Sequence, residues 1–381
     1  SAIRKFLLLE CLNNLENIWK EEKFINIFKG ISKQCFENEF CWIIDAEEIE
    51  YLKELRSKIL LKIKKEEDLE NFEILILSCY ENLFSFKELR DLIINSDKNI
   101  AIKDVIKEHI YDFESEKKIS LEIKKITPIT NKISEKVRNQ YEIYPYPRWA
   151  SLKNDVYIKN SYAGVVKKLS FGSYESHDIK KILIAGCGTG FHAYNVALKA
   201  HDAEIHAIDL SLKSLSYGKR KCDELGIKNI KWFQADITEL DHHNQKYDSI
   251  ESVGVLHHIE NPKKAFEILT QKLNSKGIMK IGLYSKVFRD QLREAKALIK
   301  KEIKEIDILS IHKARQLIMD SKNNNVRLVA LGSDFFTTSS FVDLLMHEHE
   351  LDYDINDIKH LLGNEFNFLG FEFHPVHSQS I

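Results

Sequence analysis

Apolar positions recur every three to four residues through the first third of the chain: Ile3, Phe6, Leu7 and Leu9, then Ile18, Phe24, Ile27 and Phe28. That is the period of a helix with one buried face. Before residue 125 glycine occurs only at Gly30, and no proline occurs before Pro128. So few breakers do not suit a set of short strands, and residues 1–127 read as an all-helical N-terminal domain. The run 62–70 (KIKKEEDLE) mixes both signs at helix-neighbour spacing and reads as a solvated face or turn.

The texture changes near residue 130. The stretch 128–150 holds three of the five prolines and the phrase YEIYPYPRW, residues 141–149. Prolines spaced two apart end a helix and favour extended backbone. Residues 128–178 therefore read as a linker that carries a lid.

From Lys180 the period alternates between two and 3.6. Short apolar runs at 181–185, 204–208, 230–234, 247–253 and 277–284 read as strands. Helical patterns at 192–200, 211–225 and 262–273 separate them. Strands that alternate with helices predict an α/β fold with a doubly wound, mostly parallel sheet. Residues 179–285 would form that core. Residues 286–381 would supply a late helical cap and the C-terminal part of the core.

Composition narrows the partners. The net charge is -2 although 30% of residues are charged, which argues against a polyanion as main partner. The six cysteines contain no C-x-x-C pair and form no dense framework, so reduced thiols and a cytoplasmic location are expected. No apolar run reaches the roughly 18 residues that span a bilayer.

The chemistry is concentrated after the first strand of the core. Gly186-Cys187-Gly188-Thr189-Gly190 follows Ala185 and precedes a helix. Glycines there allow a sharp turn and close approach of a ligand, and the helix start offers its N–H groups. The second strand ends at Asp209, followed by Leu210. An acid about 20 residues past the glycines suits a pair of ribose hydroxyls. The third strand ends at Asp236-Ile237, where a carboxylate can accept from an adenine amine and an aliphatic side chain can lie on the ring. A nicotinamide dinucleotide enzyme usually spaces its glycines G-x-G-x-x-G; here Phe191 stands where the last glycine would be.

Gly186-x-Gly188-x-Gly190, Asp209, Asp236, the run 252–259 (SVGVLHHI) and Pro262 together resemble the class I methyltransferases. The resemblance implies S-adenosylmethionine as cofactor. Its methionine part would face Ala185, Gly186, Cys187, Gly188 and Gly190. Asp209 would take the ribose and Asp236 with Ile237 the adenine, and Leu210 would also touch the cofactor. Residues 35–53, 126–149 and 334–373 are similar to a bacterial branch of that class, often fused behind tetratricopeptide repeats, with a Q-Y-E-x-x-P-Y-P-R-W signature. Three departures stand out. No such repeat precedes Cys35. Leu351 occupies the place of a second histidine after Glu350. The chain stops at Ile381, where the branch continues into a further strand.

Methyl transfer needs an aligned nucleophile, a dry site and a route for one proton. His257, after the fourth strand, is the leading base or orienting group, with His258 beside it. Tyr144 and Tyr146, on alternate positions of the proline segment, would wall the pocket with Trp149, and Arg148 would pair with the cofactor's carboxylate. Tyr146 is also placed among the catalytic candidates. His347 and Glu350, three apart, would share one helix face on the acceptor side, with Asp334, Phe335 and Phe336 at its edge. Their spacing is not that of a zinc helix, and no metal is expected. No N-P-P-Y motif follows the fourth strand, which disfavours nucleic acid as acceptor. The leading expectation is methylation of a protein or peptide nitrogen, with association through the helical domain. Two other readings are a small-molecule N- or O-methyltransferase and a non-catalytic module that binds the cofactor.

Overall fold

The computed structural model describes residues 2–12, 22–95, 100–149, 161–170, 172 and 179–372. The chain divides into two compact units. One comprises Ser1–Lys118 and Gln291–Met346, the other Ile119–Asp290 and His347–Ile381.

The first unit is helical. Its centre is the Asn71–Ser78 helix, whose Ile74, Leu75, Ile76 and Leu77 are all buried. A helix buried all round must be enclosed by others. Leu7, Leu8, Phe28, Leu55, Ile59, Leu89 and Ile93 enclose it. The Ala46–Lys64 helix starts on a reciprocal cap: Glu48 N–H donates to Asp45 at 2.8 Å, and Asp45 N–H donates to Glu48 at 3.1 Å. The later segment joins this unit through the carboxylate of Glu39, which accepts from Ser339 N–H at 2.7 Å and Ser339 Oγ at 2.6 Å.

The second unit is built on six parallel strands: β1 (Lys124–Lys125), β2 (Lys181–Ala185), β3 (Glu204–Asp209), β4 (Ile230–Gln234), β5 (Tyr247–Val253) and β6 (Leu273–Gly282). Their order is β1-β4-β3-β2-β5-β6. Strand alternation splits the core into two layers. Ile182 and Ile184 pack with Ala193, Val196, Leu215 and Tyr217 from the Phe191–Lys199 and Leu212–Glu224 helices. Leu183 and Ala185 pack on the other face with Ala265, Phe266, Ile268 and Leu269 of the Pro262–Lys272 helix. The sheet is thus doubly wound, as the alternation of periods predicts. Because β3 and β5 lie on opposite sides of β2, connections leave β2 in opposite senses and a crevice opens at its carboxyl end.

Local differences from the expected elements have local causes. The stretch 128–150 is not extended throughout. Lys132–Ile143 is a helix capped by Asn131, whose side chain accepts from Ile133 and Ser134 N–H at 2.7 and 3.0 Å. It stops before Tyr144-Pro145, where proline disfavours helical backbone in the residue ahead of it. The two-residue β1 lies inside a segment expected to be helical. It is short enough to leave no periodicity, and it is defined by pairing with β4. The last strand begins at Leu273 rather than 277.

Candidate functional site

The crevice is floored by the loop between β2 and the Phe191–Lys199 helix. Gly186 and Cys187 both donate N–H to Ile208 O at 2.9 Å, tying the loop to β3. Two of its glycines are fixed by contact. Gly188 has φ +53°, and a Cβ there would stand 2.7 Å from the Tyr146 carbonyl oxygen. Gly190 has φ +82°, and a Cβ there would stand 2.5 Å from the Trp232 ring. Ala185 and Cys187 are buried beneath the loop, and burial pushes the Cys187 thiol up.

Asp209, at the end of β3, is half-buried. Its Oδ2 accepts from Gly188 N–H at 2.8 Å and its Oδ1 from Ser211 N–H at 2.9 Å. Burial pushes its carboxyl up to about 6 against those two hydrogen bonds, and the negative charge of Glu142 adds to the rise. The half-buried Leu210 follows; its carbonyl accepts from Gln234 Nε2 at 2.7 Å.

Asp236, at the end of β4, is only 2% exposed. Its Oδ1 accepts from Thr238 N–H at 2.9 Å and Thr238 Oγ1 at 2.7 Å, which caps the turn that begins at the buried Ile237. Its Oδ2 is buried and has no hydrogen-bond partner among the described residues. A carboxylate oxygen left so costs about 1–3 kcal/mol, a debt that a donor on a ligand would remove.

The proline segment lies against the loop. Trp149 is buried, its indole N–H donates to Thr189 O at 2.9 Å, and its ring stacks on Tyr194 at 5.5 Å. The Thr189 hydroxyl in turn donates to Pro147 O. Arg148 is half-buried, with its guanidinium 5.5 Å from the Tyr217 ring. Tyr144 and Tyr146 are both half-buried; Tyr144 closes the preceding helix with its N–H on Gln140 O at 2.8 Å.

The acceptor-side candidates form a column of rings after β5. His257 is fully buried and stacks on Tyr284 at 3.7 Å. His258 meets His257 edge-on at 4.3 Å and stacks on His347 at 3.7 Å. His347 Nε2 lies 3.2 Å from the Tyr141 hydroxyl, and its Nδ1 accepts from His349 N–H at 3.1 Å. Arg289 covers the outer face of Tyr284 at 3.4 Å and lies 3.5 Å from Glu350. Thus His257, far off in sequence, joins His347 and Glu350 in one assembly, which His258, Tyr284 and Arg289 link together; His347 and Glu350 do not share a helix face, because the Thr338–Leu345 helix ends before them. Sequence reasoning missed the parts played by Tyr141, Tyr284 and Arg289. The only signal for Tyr141 was its place in the Q-Y-E signature.

A family model described as a methyltransferase domain matches residues 176–331. An uncharacterised protein of Synechococcus is 31% identical over 204 residues, which is 50% of this chain and 48% of that one. An uncharacterised protein of Rickettsia prowazekii is 30% identical over 151 residues, 39% of this chain and 56% of the relative. The chain therefore spans about half the length of the curated relatives it matches. Among solved structures, PKMT2 from Rickettsia typhi in complex with AdoHcy aligns with TM-score 0.41 and 21% identity, covering 53% of this chain and 43% of that one. No helix among the described residues is long and apolar enough to cross a membrane.

Proposed function

We propose that this chain, whose α/β unit has the class I methyltransferase fold, is an S-adenosylmethionine-dependent methyltransferase that acts on a side-chain or terminal nitrogen of a protein or peptide. The observation that supports the cofactor reading is the buried Oδ2 of Asp236, without a hydrogen-bond partner among the described residues, beside Asp209 on the neighbouring strand end. The donor set fits the group. Asp209 can accept from ribose hydroxyls and Asp236 from the adenine amine. Leu210 and Ile237 supply aliphatic surface for the base, and the loop 186–190 supplies backbone for the amino-acid part. When bound, that cofactor offers an electrophilic methyl group already activated by its sulfonium charge. The chain's own residues would bind it, exclude water, orient the acceptor and move one proton. Tyr144 and Tyr146 would wall the pocket, with Tyr146 also a catalytic candidate, Arg148 would pair with the cofactor's carboxylate, and His257, His347 and Glu350 would serve the acceptor side.

A macromolecular acceptor is favoured by the size of the helical unit, which exceeds what a small acceptor requires. The test uses the purified chain, methyl-labelled S-adenosylmethionine and cell extract, resolved by size. Label in a protease-sensitive band is the expected result. Label confined to small molecules would replace the acceptor assignment. Tight binding of S-adenosylhomocysteine with no label transferred would reduce the chain to a binding module.

A further inference from the structure

Glu142 has so far been given no part in binding, yet the end of its helix lies against the crevice. Tyr141 O accepts from Ser211 Oγ at 3.2 Å, which fixes the end of its helix beside the end of β3. Glu142, half-buried on the last turn, accepts on Oε1 from Leu212 N–H at 2.6 Å and Lys213 N–H at 3.4 Å. Asp209 accepts from Ser211 N–H, the residue just before. Two carboxylates therefore converge on three successive N–H groups at the start of the 13-residue Leu212–Glu224 helix.

Positive potential at a helix start tolerates negative charge. Ser211 caps this helix by accepting from Ser214 N–H at 3.0 Å and Glu142 Oε1 covers Leu212 and Lys213 N–H, so the helix start uses only one of the two Glu142 oxygens. Gly188 and Ser211 N–H each engage one oxygen of Asp209, and a carboxylate oxygen can accept two hydrogen bonds. Glu142 Oε2 makes no hydrogen bond to the described residues. Adjacent carboxylates repel each other, and what relieves them is a pair of donors on neighbouring atoms, as a vicinal diol provides. The orphaned Asp236 oxygen on the adjoining strand end is an independent sign that a ligand with hydrogen-bond donors sits along this edge.

We infer that Glu142 is a cofactor-binding residue, which holds the ribose diol jointly with Asp209, one hydroxyl to each carboxylate. The inference rests on the cofactor reading above, and titration calorimetry separates the two. The probes are S-adenosylhomocysteine and its 2′-deoxy and 3′-deoxy forms. The proteins are the wild type, Glu142→Gln and Asp209→Ala. Glutamine keeps an acceptor for Leu212 N–H, so the helix start survives. Glu142→Gln should weaken S-adenosylhomocysteine about tenfold, the scale of one charge-assisted hydrogen bond, and should become indifferent to removal of one hydroxyl. Asp209→Ala should stay sensitive to that hydroxyl. If Glu142→Gln binds as the wild type does, or loses all three probes by one common factor, Glu142 only shapes the helix start and the inference fails. If the wild type does not bind S-adenosylhomocysteine, the cofactor reading fails with it.

Discussion

Asp209 gives the sharpest prediction, because its carboxyl is held at about 6 by burial, with the Glu142 charge adding to the rise. An aspartate in the unfolded chain titrates near 3.9. The folded state therefore binds the proton more tightly, and ionising Asp209 costs stability. The difference is worth roughly 3 kcal/mol at pH 7, about half of it already lost at pH 5 and nearly none below 3.9. Asp209→Asn removes this penalty. It also turns an amide N–H toward either Gly188 N–H or Ser211 N–H, at about 1–3 kcal/mol, but that cost does not vary with pH. The stability of the variant relative to wild type should thus rise by roughly 2 kcal/mol between pH 4 and pH 7 and stay level above. Urea denaturation followed by tryptophan fluorescence measures it, since Trp149 and Trp232 are buried in this unit. Binding has the opposite sign: a carboxylate that must be ionised to accept ribose hydroxyls should lose S-adenosylhomocysteine affinity about tenfold per pH unit below 6. A stability difference that stays constant from pH 4 to 7, together with a flat binding profile, would refute the reasoning.

Other substitutions probe other links. Asp236→Leu removes the orphaned oxygen with its partner atom and should abolish measurable S-adenosylhomocysteine binding, whereas Asp236→Asn, which keeps an acceptor for Thr238, should stay folded and bind about tenfold or more weakly by calorimetry. Trp149→Ala should cost about 3–5 kcal/mol in denaturant unfolding, because it empties a buried site and strands the Thr189 carbonyl. In the helical unit, Glu48→Ala should cost about 3 kcal/mol by the same measurement. It strips an ion-pair partner from the buried Arg4, 3.3 Å away, and the acceptor from Tyr80 at 2.9 Å.

The strands and helices of the α/β core could be read from the sequence because each follows from its own neighbours. KILIA before glycines has no alternative to a short buried strand, and carboxylates at Asp209 and Asp236 are placed by the strand ends themselves. What could not be read depends on where a helix lands. Lys132–Ile143 shows only a modest apolar stripe, and nothing in its period tells that Tyr141 meets His347 while Glu142 meets Leu212. The column from Arg289 to Tyr141 likewise draws on β5, β6 and two later segments, so its members show no common spacing. The two-residue β1 exists only through its pairing, which no local pattern encodes.

The same contacts change what the proline segment can do. A lid must leave the site to admit its ligand, so it should touch the core through few and exposed groups. Here the segment ends in a Trp149 side chain that is 7% exposed, hydrogen-bonded to the glycine loop and paired with Tyr217, whose hydroxyl donates to Trp149 O at 2.8 Å. The Tyr146 carbonyl fills the space that Gly188 leaves. Removing these contacts would expose a large aromatic side chain and unpair several backbone groups, a cost of several kcal/mol. Residues 146–149 are therefore part of the floor of the crevice. The glycine at 188 serves the chain's own packing, so its presence is weaker testimony for a cofactor than the Asp236 oxygen, which has no hydrogen-bond partner among the described residues.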